Sequence, residues 1–302
     1  MKFVASYSGG KESALAVHKA ILQGHEPILL ITTYNTDAAR SHFHGLTEEV
    51  LEKVSAATGI PLMLVKTSGA DYVQNFESAL RKAKEQGAEA CVFGDIDIEG
   101  HIAWCSERCK NVGLTPMFPL MGMSRADAVY DLVDSGFIAN ITVVNSNYLS
   151  DEFLGRKLTR ELAHKIAETG ADICGESGEY HTFVSDGPIF RQPITFTVGD
   201  KVTKDNYAMV PIHCNSHKFF SNKDCKYFPC HKLDGDFNCL FCYCPLYVLG
   251  NDCGGNFSYK KKQAEPTCKL ENKEIKICLD CTFPHEMESY DTIVARLKEM
   301  NR

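Results

Sequence analysis

No apolar run in the 302 residues is long enough to cross a bilayer, which excludes a helical membrane span. A basic segment followed by an apolar one is also missing at the start. Met1 runs straight into a strand pattern, so no secretion signal is expected, and the chain is placed in the cytoplasm with its thiols mostly reduced. No internal repeat is found. Positive charge is short in the first 200 residues, where 17 Lys/Arg face 26 Asp/Glu; residues 201–302 hold 15 against 13. So acidic a region is poorly suited to tracking a nucleic-acid backbone, and nucleic acid is not an expected partner. Cysteine is sparse there too: Cys91, Cys105, Cys109 and Cys174 stand alone, and the other ten lie between Cys214 and Cys281. Two different pieces are joined. The expected boundary falls near Pro211, giving domains at 1–212 and 213–302.

What is present in the first piece is a rhythm. Short apolar strands ("KFVASYS", "PILLITTY", "PLMLVKT", "EACVFGDI") alternate with helical patterns over 12–23, 47–58 and 72–86, each closed by a glycine (Gly24, Gly59, Gly87). Further helices are expected over 102–111 and over 125–135, the latter capped by Ser124, and "FIANITVVN" continues the series. This order predicts an α/β fold with a doubly wound, mostly parallel sheet. From Ile189 to Ile212 the period is that of strands, and "ITFTVGDKV" predicts a hairpin around Gly199-Asp200. A last amphipathic helix is expected over 289–300.

The first turn of this series reads "SYSGGKES". It is not a Walker A loop, because Ala5 stands where that motif needs glycine and Glu12 follows Lys11. A strand-to-helix turn with Ser8, Gly9, Gly10, Lys11, Glu12 and Ser13 nonetheless suits an anion: glycines admit it to backbone N–H groups, serines donate to it, and Lys11 adds charge. An ordinary Gly-Gly turn with a capping serine is the plainer reading.

"SGGKES" resembles the pyrophosphate-binding loop of the N-type ATP pyrophosphatases, with Glu12 where that group more often has aspartate. "VFGDIDIEGHIAWCSERC" and "ADICGESGEYHTFVSDGPIF" are similar to motifs of the diphthine-ammonia ligase family, whose members amidate the modified histidine of elongation factor 2. The resemblance covers roughly residues 1–210 and implies an adenine nucleotide alpha hydrolase-like, Rossmann-like fold. It also implies ATP, Mg²⁺ and ammonia as reactants, with the diphthine of elongation factor 2 as acceptor. Read for their own chemistry, Asp95 follows a parallel strand at the edge where such sheets bind ligands and suits Mg²⁺ or substrate positioning; a helix cap is its plain alternative. Glu176, Glu179 and His181 crowd together among glycines and suit an amine and proton movement, with a loop tied by surface ion pairs as the alternative. His44 follows the second strand, where the resemblance implies part of the nucleotide pocket. Cys105 and Cys109 would share a helix face, most simply as idle thiols.

The second piece has spacing of another kind: Cys225-x4-Cys230-His231, Cys239-x2-Cys242-x-Cys244, Cys253, and Cys278-x2-Cys281 with His285, flanked by Cys214-x2-His217 and Cys268. Two Cys-x2-Cys pairs with further thiols and histidines predict two four-coordinate Zn²⁺ sites; an iron-sulfur cluster is the rival and a disulfide framework the weaker alternative. "CKYFPCHK", "NCLFCYCPLY", "CGGNF" and "CLDCTFPHE" resemble a zinc-finger-like cysteine-rich small domain. The aromatic residues among these ligands are expected to form a small core around metal, and the basic run at 260–262 leaves an RNA-binding tail as the alternative.

Together these readings predict an amide ligase forming AMP and pyrophosphate, in which ATP activates an acceptor carboxylate and ammonia displaces AMP. Thiolation of tRNA by a related ATPase, or a non-catalytic nucleotide-binding module carrying a zinc domain, are the alternatives. The sequence leaves the oligomeric state open.

Overall fold

The computed structural model describes residues 1–42, 44–214, 219–233, 237–261, 274–286 and 289–300. The chain divides into two compact units, Met1–Cys214 and residues 215–302.

The first unit opens with β1 (Lys2–Ser6), α1 (Lys11–Leu22), β2 (Glu26–Asn35), β3 (Arg40–Ser41), α2 (Glu48–Thr58), β4 (Leu62–Thr67), α3 (Tyr72–Glu85), β5 (Ala90–Val92), α4 (Glu99–Val112) and β6 (Thr115–Met117). Strands β4, β2, β1, β5 and β6 lie in that order and run parallel, and the short β3 pairs antiparallel with the end of β2. The strands are nearly continuous apolar runs because helices cover both faces. Val17, Ala20, Val50, Leu51 and Val54 of α1 and α2 enter one core, while Phe76, Leu80, Cys105 and Cys109 of α3 and α4 enter the other. Thr47 caps α2, its hydroxyl accepting from the Val50 N–H. The chain winds outward from β1 through β2 to β4, then returns to build β5 and β6 on the other side. The crevice between the ends of β1 and β5 is therefore the switch point of the sheet, the usual ligand position in this architecture.

Next come α5 (Arg125–Asp134), β7 (Ile138–Asn145), α6 (Arg160–Glu168) and β8 (Tyr180–Asp186), then β9 (Phe196–Val198), β10 (Val202–Lys204), β11 (Tyr207–Met209) and β12 (Ile212–Cys214). Ser124 caps α5 through its hydroxyl. Two expectations are corrected here. The strand of "FIANITVVN", β7, does not extend the parallel sheet; it pairs antiparallel with β8 and β11 in a second sheet of order β10-β11-β7-β8. A buried apolar strand reads alike in either setting, so its neighbours are not visible locally. Nor does Gly199-Asp200 turn a hairpin. Strand β9 pairs with β12 while β10 pairs with β11, and the tight turn falls at Asp205-Asn206, with Asp205 at φ +53°. The Phe196 ring of β9 meets the Phe183 ring of β8 edge-on at 5.4 Å.

The second unit is mostly turns, with β13 (Ser258–Lys261) antiparallel to β14 (Glu274–Ile277) and a final α7 (Ser289–Met300). Its core is small: Leu246, Cys253 and Ile293 are buried, with Phe241, Leu249, Phe257, Phe283 and Leu297 packed on them. Other rings of the same segments face solvent instead. Tyr243 is 98% exposed and Tyr227 66%, so the expected aromatic core takes only part of the set. His217, Cys268 and the last residue of the basic run at 260–262 lie outside the described residues.

Candidate functional site

At the switch point lies a cavity of about 630 Å³, lined by the 8–13 turn, the ends of β2 and β5, and the loop before β8. Its size suits a small-molecule ligand. The turn is shaped by contacts a side chain would block. A Cβ on Gly10 would fall 2.1 Å from the His44 ring, and one on Gly9, at φ +87°, would fall 2.4 Å from Leu46. Ser13 Oγ donates to the Gly10 carbonyl at 2.9 Å and pairs with Ser8 Oγ at 3.2 Å. The cap residue Gly10 has no side chain to close α1, and of the first-turn amides that of Lys11 is taken by Thr182, so an anion would meet the amides that follow.

Lys11 is a buried first residue of α1, not the exposed loop lysine such a motif suggests. Its ammonium pairs with Glu12 and lies 4.5 Å from the centre of the Tyr180 ring. Burial alone would lower its pKa, but the Glu12 carboxylate, helped by Tyr180 and Cys174, outweighs burial and holds it above the ordinary lysine value. Strand β8 locks this end of the helix. The Lys11 N–H donates to Thr182 Oγ1 at 3.1 Å, and the Val184 N–H donates to the Gly9 carbonyl at 2.9 Å.

His44 donates from Nδ1 to the Thr182 carbonyl at 2.7 Å, leaving Nε2 without a proton, and its ring meets His181 edge-on at 4.9 Å. Burial, against the Thr182 carbonyl, lowers the pKa of His44 to about 4; burial, His44 and Lys11 lower that of His181 to about 3. Both rings are neutral at neutral pH. His181, expected to move protons, is thus held as the neutral imidazole. Glu176 moves the other way: burial first, then the Glu12 charge, raise it to about 7. Asp95, three residues past β5, is also raised by burial, partly offset by His101. It does not cap α4, whose cap position is Ile98.

Glu179 is the exception among the expected residues. It is buried, does not line the cavity, and accepts the Ser177 N–H at 3.0 Å, so it shapes the loop that presents Glu176. That loop has a second brace. Asp172 accepts the N–H groups of Cys174 and Glu176, each at 3.0 Å, and is held by Arg125, which also grips Asp97 through two nitrogens at 3.0 Å. Arg125 thus ties the loop of Glu176 to the loop of Asp95. Glu12, Cys174 and Glu176 bring donor atoms within 4.8 Å of one another. Glu12 and Asp95 offer oxygen ligands of the kind Mg²⁺ takes; the Cys174 thiol, which burial and Glu12 keep protonated, does not.

The far wall is aromatic: Tyr72, Phe76 and Trp104 pack at centroid distances of 5.5–6.4 Å. Sequence reasoning missed these residues, since rings at helical spacing on α3 and α4 read as core. The Tyr7 hydroxyl is buried with no partner among the described residues.

In the second unit the expected ligands form two groups. Cys230, His231 and His285 bring donor atoms within 4.8 Å of one another, and Cys230 also feels the thiols of Cys242, Cys239 and Cys225. His285 is buried and donates from Nδ1 to the Asn238 carbonyl at 2.9 Å, which turns Nε2 toward Cys230. That is how a metal-binding histidine is usually oriented. Cys244, Cys253, Cys278 and Cys281 act on one another's charge, although among the described residues no three of their sulfurs lie within 4.8 Å of one another. Cys239–Cys242 and Cys278–Cys281 each close a turn, the later N–H donating to the earlier carbonyl. Thiol and imidazole donors in such turns fit Zn²⁺. Cys214 lies instead in β12 of the first unit.

The first unit is therefore a doubly wound α/β protein with its glycine and serine turn at the switch point of the sheet. Its sequence matches the Diphthamide synthase N-terminal domain over residues 1–116 and the Diphthamide synthase C-terminal domain over 124–216, and residues 216–302 match the Cysteine-rich small domain. The chain belongs to the diphthamide synthase family and carries a cysteine-rich small domain behind it. It is similar to a diphthine–ammonia ligase of Danio rerio, 25% identical over 70% of this chain and 92% of that protein. The Homo sapiens protein of the same name is 25% identical over 70% and 89%. A solved structure from Methanocaldococcus jannaschii, described as a predicted subunit of tRNA methyltransferase, is 15% identical; the match spans 64% of this chain and all of that one, at a TM-score of 0.35. Among the described residues no helix is long and apolar enough to cross a membrane.

Proposed function

We propose that the first unit is an ATP-dependent amide ligase acting on a diphthine-type carboxylate, the substrate in its relatives' name. One observation carries the reading: the anion-binding turn and Glu176, raised to about 7, face the same cavity. The adenine lies against Tyr72, Phe76 and Trp104, and the triphosphate meets the turn from Ser8 to Ser13 and the Lys11 ammonium. An acceptor carboxylate oxygen attacks the α-phosphorus, the bond to pyrophosphate breaks, and an acyl-adenylate forms. Glu176 takes a proton from ammonium; the ammonia released attacks the acyl carbon, the bond to AMP breaks, and the second proton lost from the nitrogen goes to the departing AMP phosphate or to water. His44 and His181, both neutral, add no repulsion toward ammonium. Mg²⁺, held by Glu12 and Asp95, would neutralise charge on the leaving pyrophosphate. The second unit binds Zn²⁺ through the two donor groups.

The test supplies the full chain with ATP, ammonium and diphthine-bearing elongation factor 2, and measures AMP, pyrophosphate and carboxamide formation. Equal yields of all three are expected. Carboxamide formation without AMP, or ATP turnover indifferent to the acceptor, overturns the reading.

A further inference from the structure

The second donor group contains a residue that is not a ligand. Lys276, on β14, is buried to 7% exposure, and its Nζ lies 2.9 Å from Cys253 Sγ and 2.5 Å from the Gly250 carbonyl oxygen. The face of Phe257 covers the ammonium at 4.3 Å. A lysine is seldom buried unless its charge is paired, and here the partner is a thiol of the expected ligand set. Backbone geometry favours the same point: a Cβ on Gly255 would fall 2.7 Å from Cys281 Sγ and 3.9 Å from Cys253 Sγ. Glycine there admits the Cys281 sulfur, while the Cys253 sulfur lies at ordinary contact distance from the same point. Arg296 adds a second cation nearby, donating to the Asp252 carbonyl at 3.0 Å.

From this we infer that Cys244, Cys253, Cys278 and Cys281 form one four-thiolate metal centre, separate from the Cys225–His285 group, and that Lys276 is the positioning residue that offsets its charge. Four thiolates on a divalent cation leave net negative charge, which is costly in a half-buried site without a counter-ion. The Lys276 ammonium supplies one and hydrogen-bonds the Cys253 sulfur, fixing that ligand as outer-shell partners do elsewhere. The inference rests on the zinc reading of the second unit.

The test uses the full chain purified under reducing conditions, with zinc measured by elemental analysis and its release to a chelating dye followed in time. Cobalt(II) substitution reads the thiolate count through the sulfur-to-metal charge-transfer band. The parent is expected to hold two zinc ions. Lys276→Gln should keep both but release one about ten- to a hundredfold faster. Lys276→Arg should restore slow release, since it returns the charge and a donor. Cys244→Ser and Cys278→Ser should each weaken the same, four-thiolate cobalt spectrum and spare the other, whose persistence also reports that the variants fold. Unchanged release in Lys276→Gln overturns the role of Lys276 while zinc binding stands. Loss of different centres in the two serine variants overturns the ligand set. A parent without zinc removes the zinc reading, and this inference with it.

Discussion

Glu176 and the two cavity histidines shift in opposite directions chiefly through the loss of water around them, with the Glu12 charge adding to the first and Lys11 to the others. Burial disfavours charge, so it raises a carboxyl and lowers an imidazole. If Glu176 is the base that frees ammonia, amide formation should rise with pH through about 7, where the carboxyl ionises. Glu176→Gln should lose that rise and keep only the slope due to ammonium itself. The linked stability runs the other way. The folded pKa lies above the unfolded value, so the contribution of the neutral carboxyl is complete below the ordinary glutamate range and is lost as pH rises through about 7. Glu176→Gln, which cannot ionise, should therefore melt above the parent at alkaline pH and level with it in acid. Melting and rate profiles of the two proteins check both signs; parallel curves would mean that Glu176 does not titrate there. Lys11 makes a different prediction. Because it is buried and paired with Glu12, itself part-exposed to the cavity, Lys11→Ala should cost about 1–3 kcal/mol of stability as well as turnover, the result of leaving a part-buried carboxylate without its partner. Lys11→Ala combined with Glu12→Ala should recover part of that stability and none of the turnover. Full stability in the single variant would sink the argument.

Between elements, the site depends on how closely the loop after β5 approaches the start of α1. A Cβ on Gly94 would fall 2.8 Å from the Glu12 carbonyl carbon and 2.9 Å from the Ser13 nitrogen, both backbone atoms that cannot swing aside. Gly94→Ala should therefore displace the phosphate turn, costing about 1–3 kcal/mol and most of the ATP affinity. Gly100→Ala is the control. Gly100 lies within α4 with open space around it, so alanine there should stabilise by about 0.5–1 kcal/mol and leave ATP binding alone. Equal ATP affinity in both variants, by calorimetric titration, would refute the close-approach account. The same contrast shows why parts of this architecture were legible from sequence. Strands β1, β2, β4 and β5 alternate with amphipathic helices, and that period is a local property of the chain. So is the glycine and serine turn between β1 and α1. The pairing of β7 with β8, the split of β9 from β10, and the meeting of Tyr72 with Trp104 are long-range facts with no local period. Burial of Lys11 is of that kind as well, since it follows from Tyr180 and Thr182 arriving from far along the chain.

At the scale of the whole chain, the two units owe their stability to different sources. The first has large apolar cores on both faces of its sheet, enough to fold without help. The second has three buried side chains at the centre of its core and a surface that exposes Tyr227, Tyr243 and Leu279, among its described residues. So small a core does not offset the entropy of ordering the segment, whereas binding a structural zinc contributes about 10–16 kcal/mol in isolated finger peptides. Metal removal should therefore act on one unit. Under chelator and reductant, calorimetry should lose the transition of residues 215–302 and keep that of residues 1–214, and amide exchange should become fast in the former alone. ATP binding, measured with Mg²⁺ restored after the zinc is stripped, should persist, because the turn from Ser8 to Ser13 and every side chain lining its cavity belong to the first unit. Loss of ATP affinity on chelation would show that the zinc unit supports the nucleotide site directly. Unchanged exchange in both units would show that the second unit folds on its apolar core after all, and its cysteines would then need another explanation.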